Sequence, residues 1–317
     1  MKNPLVTILT PVYNGESYIQ RFIDSVLRQT YDNIFLIIVN DGSTDNTEKI
    51  IKKNKEAIKK RFKFKYIYQK NKGQAEAINN GLKYVKGDYF TWPDSDDILT
   101  NDSIEMKVQF LEKNKEYGFV RTNYQVVLEE SINKIEYEIK PKNNNTNIFD
   151  DLILEKTYCT NGAYMVRLKD FLQVNPKKEI YISKGGQNWQ LILPIAYSYK
   201  CGYIDKCSYK YIVRKTSHSR IDLGKFEKEI ERQKVLKDIL INTISTIDLD
   251  QKKYLKMINN KYLRWEMVIG KNYRKKDFTR KRYNQLKKSN ELKISDKIYY
   301  IFGKNRITDK LISYIDD

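Results

Sequence analysis

The sequence predicts an α/β fold in which a largely parallel sheet is covered by helices on both faces. Short runs that are apolar on both sides, such as residues 5–10 and 34–39, alternate with segments whose apolar residues recur at helical spacing. Strands buried on both faces are typical of a parallel sheet between two helical layers. Polar turns follow three of these strands, and such sheets bind ligands beyond the carboxyl ends of their strands. We therefore expect a binding site at one edge of the sheet.

The order of the patterns defines the elements and the domain boundary. We predict strands at residues 5–10, 34–39, 62–68 and 89–92, separated by helices at residues 17–29, 44–58 and 74–85. Hairpin-like β structure follows at residues 117–139, and then a strand at 163–166, a helix at 189–199 and a strand at 203–213. After Arg220 the chain reads as helical and basic. The predicted organisation is therefore an α/β domain at 1–220 and a C-terminal helical extension at 221–317.

Charge and cysteine content restrict the partners and the compartment. The formal net charge is +19, and residues 221–317 hold 24 Lys/Arg against 14 Asp/Glu. Such an excess suggests nucleic acid, a membrane surface or phosphorylated small molecules as partners, and the absence of a nucleic-acid motif argues against the first. The three cysteines have no CxxC spacing, which fits a reducing compartment. No apolar run of the sequence reaches membrane-spanning length. We expect a cytoplasmic protein that is soluble or peripheral on the inner face of the cell membrane.

An acidic turn follows the fourth predicted strand. Asp94-Ser95-Asp96-Asp97 places three carboxylates within four residues, and like charges this close repel unless a cation neutralises them. Carboxylates prefer hard cations such as Mg²⁺ or Mn²⁺, which are bound together with substrate phosphates. The alternative is that Asp94 or Asp97 only caps the next helix. Asp41 and Tyr13 follow neighbouring strands, which favours the cation site.

Four ordered blocks resemble the signature of family 2 glycosyltransferases with the GT-A fold. These blocks cover residues 7–15, 39–45, 86–89 and 94–97. The resemblance implies a Rossmann-like mixed sheet with helices on both faces, a UDP-sugar donor and a Mn²⁺ or Mg²⁺ ion. It extends over roughly the first 125 residues of the chain.

The resemblance also implies roles for individual residues. Asp41 accepts a hydrogen bond from uracil, Asp94 faces the ribose or the sugar, and Asp96 binds the metal. The other implied donor-site residues are Pro11, Tyr13 and Glu16 around the nucleotide, Asn71, Gly73, Gln74 and Asn79 beside the base and sugar, and Ser95 in the acidic turn.

Two positions depart from the family pattern. Ile78 stands where many relatives have an Arg, so the donor phosphate needs another positive charge, such as Lys72 or the metal. The catalytic carboxylate of the relatives is also missing, since residues 185–190 read Gly-Gly-Gln-Asn-Trp-Gln, a pattern similar to that of one subgroup. Gln and Asn cannot take a proton from the acceptor hydroxyl. The base is then Asp94, Asp97, Asp170 or a donor phosphate oxygen, while Gln187 and Asn188 position the acceptor together with Trp189 and Asn161.

Two basic segments have a functional and a structural interpretation. His218, the only histidine, is by default a surface residue of a solvated basic loop. The resemblance to GT-A enzymes implies instead a further metal ligand from a loop after the last core strand, and Arg214 and Arg220 beside it fit phosphates. Residues 271–288 hold nine basic residues and one acidic residue, interleaved with Tyr273, Phe278, Tyr283 and Leu286. This segment is either a solvated helical face or an anchor to anionic lipid. The C-terminal helices equally fit a homo-oligomer contact.

The sequence predicts a metal-dependent hexosyl- or N-acetylhexosaminyltransferase. It would move a sugar from a UDP-sugar to a glycan or lipid-linked acceptor of a growing surface polysaccharide, such as capsule or lipopolysaccharide. The resemblance implies an inverting reaction, which the missing carboxylate leaves open. The alternatives are a nucleotide-sugar-binding relative without catalysis and a nucleic-acid-binding protein; a nucleotidyltransferase would need a Gly-rich phosphate loop that residues 11–15 lack.

Overall fold

The computed structural model describes residues 3–214, 224–305, 307, 308 and 312. The chain forms two compact units, Met1–Lys215 and Thr216–Asp317. The boundary predicted at residue 220 lies in the stretch 215–223, which is outside the described residues.

The N-terminal unit is built on a mixed sheet, which in the described residues has nine strands. These are β1 (Val6–Val12), β2 (Ile34–Asn40), β3 (Lys63–Tyr68), β4 (Tyr89–Thr91), β5 (Ile98–Leu99), β6 (Tyr117–Leu128), β7 (Ile135–Ile139), β8 (Tyr164–Arg167) and β9 (Lys200–Val213). Their order is β3-β2-β1-β4-β8-β6-β9-β5, and β7 pairs with β6 off this path.

The first half of the sheet is parallel, as predicted. β1 pairs with β2 and β4, and β2 pairs with β3, all in the same direction. All seven residues of β1 and of β2 are buried, because helices cover both faces. The carboxyl ends of these strands therefore lie at one edge of the sheet.

Seven helices of the described N-terminal unit surround this sheet. They are α1 (Ile19–Leu27), α2 (Thr47–Arg61), α3 (Gln74–Leu82), α4 (Ser103–Lys113), α5 (Phe149–Ile153), α6 (Leu168–Val174) and α7 (Gln187–Ser198). α1, α2 and α4 share one hydrophobic core with Ile8 of β1 and Leu36 of β2. α3 covers the other face, where Gly81 lies so close to Leu9 that an added Cβ would be 2.2 Å from Leu9 Cδ1.

The second half of the sheet reverses direction. β8 is antiparallel to both β4 and β6, whereas β9 runs parallel to β6. The hairpin predicted at residues 117–139 is confirmed by the antiparallel pair β6 and β7. Four elements were not predicted: β5 and α4, which directly follow the acidic turn, and the short helices α5 and α6.

The described part of the C-terminal unit is helical. It contains α8 (Phe226–Ser245), α9 (Gln251–Asn272), α10 (Lys276–Lys288) and α11 (Ile294–Phe302), and α9 packs against the other three. Among the described helices of both units, none combines the length and the apolar character that crossing a bilayer requires.

Candidate active site

The acidic turn lies where β4 ends, at the carboxyl edge of the parallel strands. Thr10 of β1 donates its hydroxyl to the carbonyl of Pro93 over 2.8 Å, which holds the start of the turn against the neighbouring strand. Oxygens of Asp94, Asp96 and Asp97 lie within 4.8 Å of one another. Within the described chain, this is the one group of three such side chains close enough to share a metal ion.

Asp97 is the buried member of the cluster and is bound to β9. Its side chain accepts a hydrogen bond from the Tyr209 hydroxyl on one oxygen and from the Ile212 N–H, at 2.7 Å, on the other. Burial, followed by the charges of Asp96 and Asp94, raises the pKa of the Asp97 carboxyl well above its usual range. Asp97 therefore fixes the acidic turn to the far strand of the sheet, in addition to contributing to its charge.

Asp96 is paired with arginine. The Arg214 guanidinium binds its carboxylate and also lies over the Tyr18 ring, 4.4 Å from the ring centroid. Arg21 of α1 donates to the Asp96 carbonyl over 2.8 Å. The two cations compensate the charge that three close carboxylates create, and Arg214 does so on the residue predicted to bind metal.

Asp94 lies between α3 and the 3₁₀ turn Asn161–Ala163. Gln74, the first residue of α3, donates its amide to Asp94 Oδ1 over 3.3 Å, and the Asn161 side chain also hydrogen-bonds to this carboxyl. Burial and the neighbouring Asp96 raise the pKa of Asp94 to about 7. The structure thus brings together three residues that were predicted to have different roles.

The predicted uracil ligand Asp41 orders the loop that precedes α3. Its buried carboxylate accepts hydrogen bonds from the Gln69 amide at 2.7 Å, the Lys72 N–H at 3.0 Å and the Gly73 N–H at 2.9 Å. The turn that presents Asp41 requires Gly42, because φ is +71° there and a Cβ would lie 2.5 Å from the Asn71 backbone nitrogen.

The remaining donor-site predictions divide into open and occupied side chains. Tyr13 is 44% exposed directly after β1, where its ring is free to stack on a base, and Asn71 is also exposed. Pro11 and Ser95 are buried. Glu16 instead accepts hydrogen bonds from the N–H and the side-chain amide of Asn46, at 3.0 and 2.9 Å, at the start of α2.

Asn79 connects α3 to the segment predicted to position the acceptor. Its amide donates to the Ile180 carbonyl over 2.9 Å, and its oxygen accepts from the Ile180 N–H over 2.8 Å. Asn79 lies about 7.5 Å along the helix axis from Gln74, at 1.5 Å per residue. The segment that begins at Ile180 is therefore attached to the same helix that contacts Asp94.

The Gly-Gly-Gln-Asn-Trp-Gln motif forms the start of α7. Gly186 has φ +67° at the N-cap, a conformation that favours glycine. Gln187 is buried and its amide is 3.5 Å from the Ser183 carbonyl, while Gln190 donates to the Tyr181 carbonyl at 3.0 Å. Trp189 is buried and Asn188 is partly exposed.

One predicted candidate, Asp170, lies away from the carboxyl edge of the parallel strands, and two others, His218 and Arg220, lie outside the described residues. Asp170 lies in α6, which directly follows Arg167, and Arg167 pairs with Tyr89 at the opposite end of β4 from the acidic turn. His218 and Arg220 fall within the undescribed stretch 215–223. Ile78 is buried in α3.

Three residues that the sequence reading did not single out also support the site. Tyr209 and Arg21 contact the acidic turn directly, as described above. Lys107 of α4 is fully buried and donates to the Gly162 carbonyl at 2.7 Å, beside Asn161, and burial lowers its pKa to about 7. A strand tyrosine or a helix lysine has no local sequence signal, because its partners here are distant in the chain.

Comparison with known proteins gives one family and one fold. The sequence model of "Glycosyl transferase family 2" matches residues 7–173. An uncharacterised glycosyltransferase of Rickettsia typhi is 41% identical over 141 residues, which are 44% of this chain and 42% of the relative. The Escherichia coli UDP-Glc:alpha-D-GlcNAc-diphosphoundecaprenol beta-1,3-glucosyltransferase WfgD is 33% identical over 261 residues, which are 78% of this chain and 91% of the relative.

The fold is that of GT-A glycosyltransferases, as predicted. The crystal structure of S. aureus TarS 1–349 in complex with UDP-GlcNAc superimposes with a TM-score of 0.61, at 18% identity, over 94% of this chain and 78% of that one. The chain spans less than half of the length of the Rickettsia relative.

Proposed function

Because the chain belongs to glycosyl transferase family 2, we propose that it moves a hexosyl or N-acetylhexosaminyl group from a UDP-sugar to a growing surface glycan, with a divalent cation at the acidic turn. The main support is the cluster of Asp94, Asp96 and Asp97, whose oxygens lie within 4.8 Å at the carboxyl edge of the sheet. The name of WfgD specifies UDP-Glc and a diphosphoundecaprenol acceptor, and the TarS crystal holds UDP-GlcNAc. A UDP-sugar and a lipid-linked acceptor are therefore the first candidates for this chain.

The donor nucleotide is proposed to bind between Tyr13 and Asp41. The exposed Tyr13 ring offers a stacking surface for uracil. Asp41 is already held by Lys72 and Gly73, so its carboxylate is oriented before the base arrives. A carboxylate offers about four lone-pair sites, which leaves one acceptor position for the uracil N–H.

Asp96 is the proposed ligand of Mn²⁺ or Mg²⁺. Hard oxygen donors and the close like charges fit such a cation, which would supply charge stabilisation for the departing diphosphate. Asp97 is less available, because both of its oxygens already accept hydrogen bonds from β9. Asp96 is available only if Arg214 releases it, and the freed guanidinium is then suited to a phosphate oxygen. His218 stays a proposed further ligand.

The geometry narrows the choice of catalytic base. Asp170 lies at the other end of β4, and Asp97 is only 1% exposed and is held by β9. Asp94 and a phosphate oxygen of the donor remain as proposals. Gln187, Asn188, Trp189 and Asn161 are proposed to position the acceptor hydroxyl.

The donor and cation sites are tested by calorimetric titration of UDP with and without Mn²⁺. We expect Mn²⁺ to tighten UDP binding, and Asp96→Asn to abolish that gain while circular dichroism stays unchanged. Asp102→Asn is the matched control, since Asp102 pairs with Lys206 outside the cluster. Equal Mn²⁺ effects in both variants would remove Asp96 from the metal site. Unchanged Mn²⁺ affinity in His218→Ala would remove the histidine.

The reaction is tested by measuring nucleotide release from a panel of UDP-, GDP- and dTDP-sugars in the presence of Mn²⁺. Release from at least one UDP-sugar, faster with a polyprenyl-diphosphate-linked glycan present, is the expected result. The proposal would be refuted if no nucleotide-sugar of the panel released its nucleotide and the protein also showed no metal-dependent nucleotide binding.

A nucleotide-sugar-binding relative without catalysis is the second candidate. It is favoured by one observation: α7 begins with Gln187 and Asn188, and no carboxylate lies between residues 180 and 204. Metal-dependent UDP binding without transfer to any acceptor would support this alternative over the enzyme.

A further inference from the structure

Helix α11 of the C-terminal unit presents its apolar side to solvent. Ile294, Ile301 and Phe302 recur at positions i, i+7 and i+8 and are 59%, 58% and 65% exposed. Ile307, shortly after the helix, is 80% exposed. Large apolar side chains that are exposed as a group mark a binding surface, whereas single ones are common.

The opposite side of α11 is polar and fixed to α9. Asp296 is 1% exposed and accepts hydrogen bonds from Arg264 Nε on both oxygens, at 3.0 Å each. It also accepts one from the Lys293 N–H at 2.9 Å, at the start of the helix. These bonds set the rotation of α11 about its axis, so the outward direction of the apolar side is built into the packing.

A basic cavity adjoins this apolar side. Its volume is about 410 Å³, and it lies between the end of α9, the start of α10 and the end of α11. Tyr300 and Ile301 line it together with four cationic side chains, which are Lys271, Arg274, Lys276 and Arg280. None of the four forms an ion pair with a described residue. Ile301 belongs to both the cavity and the exposed apolar group, which makes the two features one continuous surface.

The anchors predicted from the sequence are directed inward. Tyr273 donates its hydroxyl to Glu229 at 2.7 Å, Phe278 packs against Phe226, and Tyr283 stacks on Tyr300 with ring centroids 4.2 Å apart. Leu286 is fully buried. Tyr273, Phe278 and Tyr283 are partly exposed, and each contacts another residue of the C-terminal unit, so the most exposed large apolar side chains of the described C-terminal unit are those of α11 and Ile307.

We propose that this continuous surface docks on an anionic phospholipid bilayer. A lipid phosphate occupies the basic cavity, and Ile294, Ile301, Phe302 and Ile307 enter the boundary between headgroups and acyl chains. Basic side chains next to a bilayer attract anionic lipid, and exposed apolar side chains on a surface helix add burial at the interface. A soluble phosphorylated ligand would use the cavity but would leave the apolar side uncovered.

The test is co-sedimentation of the full chain with vesicles, without donor or acceptor. Vesicles containing phosphatidylglycerol should bind the protein in a salt-sensitive manner, and vesicles of phosphatidylcholine alone should not. Lys276→Glu/Arg280→Glu and, separately, Ile301→Ser/Phe302→Ser should each weaken binding at least about tenfold. The matched control Lys53→Glu/Lys252→Glu makes the same change in net charge at exposed lysines elsewhere and should change binding less than about threefold.

Three results would overturn the proposal. Equal binding to both kinds of vesicle would exclude headgroup recognition. The cavity would be a site for a soluble anion if Ile301→Ser/Phe302→Ser still bound vesicles fully, Lys276→Glu/Arg280→Glu did not, and inorganic phosphate competed with the vesicles. A dimer in sedimentation equilibrium that the apolar variant dissociates would identify a second copy as the occupant. Because no nucleotide is present, each result is independent of the proposed transfer reaction.

Discussion

The contact between Gly162 and Tyr209 connects backbone packing to the acidic turn. A Cβ at position 162 would lie 1.9 Å from Tyr209 Cε2 and 2.2 Å from Cδ2, so Gly162→Ala must displace the ring. The ring is fully buried, and its hydroxyl donates to Asp97. Displacement therefore removes a hydrogen bond from the carboxylate that fixes the acidic turn to β9.

The expected cost of Gly162→Ala has two parts. Overpacking a core position costs about 1–3 kcal/mol. Loss of a hydrogen bond to a charged group costs about 1.5–3 kcal/mol. We expect the free energy of unfolding to fall by about 2.5–6 kcal/mol. Tyr209→Phe removes the hydroxyl, which donates to Asp97 and accepts from the Asp94 N–H at 3.3 Å, without overpacking, and should lower the free energy of unfolding by about 1.5–3 kcal/mol.

Urea unfolding measures the stability, and calorimetric titration of UDP with Mn²⁺ measures the site. Gly118→Ala is the control, because its Cβ would lie 2.6 Å from Tyr199 Cβ at the start of β6, where Arg167 donates to the Tyr117 carbonyl at the opposite end of the sheet from the acidic turn. It should be destabilised by overpacking but keep UDP affinity within about twofold, whereas Gly162→Ala should weaken UDP binding at least about tenfold. The same loss of UDP affinity in both variants would refute the coupling through Tyr209.

Three further predictions concern buried polar groups. Burial lowers the pKa of Lys107 to about 7, so the unfolded chain binds one more proton than the folded chain between about pH 7 and pH 10. The free energy of unfolding of the wild type should therefore rise with pH in that window relative to that of Lys107→Met, as measured by urea unfolding. A difference between the two proteins that does not change with pH would contradict this. Arg264→Met leaves the Asp296 carboxylate buried without its cation and should lower the free energy of unfolding by about 3 kcal/mol, while the exposed control Lys252→Met should change it by less than about 0.5 kcal/mol. Asn79→Ala removes both hydrogen bonds to Ile180 and should speed amide hydrogen exchange at residues 180–186, whereas unchanged exchange would show that these bonds do not hold the segment.

Local patterns in the sequence were sufficient to predict the parallel half of the fold. β1 and β2 are buried on both faces, and their continuous apolar runs identify them without knowledge of their neighbours. The reversal of direction at β8 depends on pairing with β4 and β6, which no local pattern encodes. α4 was not predicted, although Ile104, Val108 and Leu111 are buried at helical spacing.

The candidate site was predictable where its residues follow consecutive strands. The grouping of Asp41 and the acidic turn follows from the common edge of parallel strands. The contacts of Tyr209 and Arg214 could not be predicted, because β9 reaches the turn only through tertiary pairing. The sequence predicted that Arg214 binds a phosphate. In the structure Arg214 contacts Asp96 instead, because the negative charge of the acidic turn attracts the nearest available cation.

The attachment of the acidic turn to β9 also fixes the order in which the site is assembled during synthesis. Tyr209, Ile212 and Arg214 follow their carboxylate partners by 112, 115 and 118 residues. At elongation rates of about 5–20 residues per second the three carboxylates leave the ribosome on the order of ten seconds before these partners. A nascent chain that already holds the parallel strands therefore has an acidic cluster with Arg21 but without Arg214, and the site becomes complete only when β9 has joined the sheet.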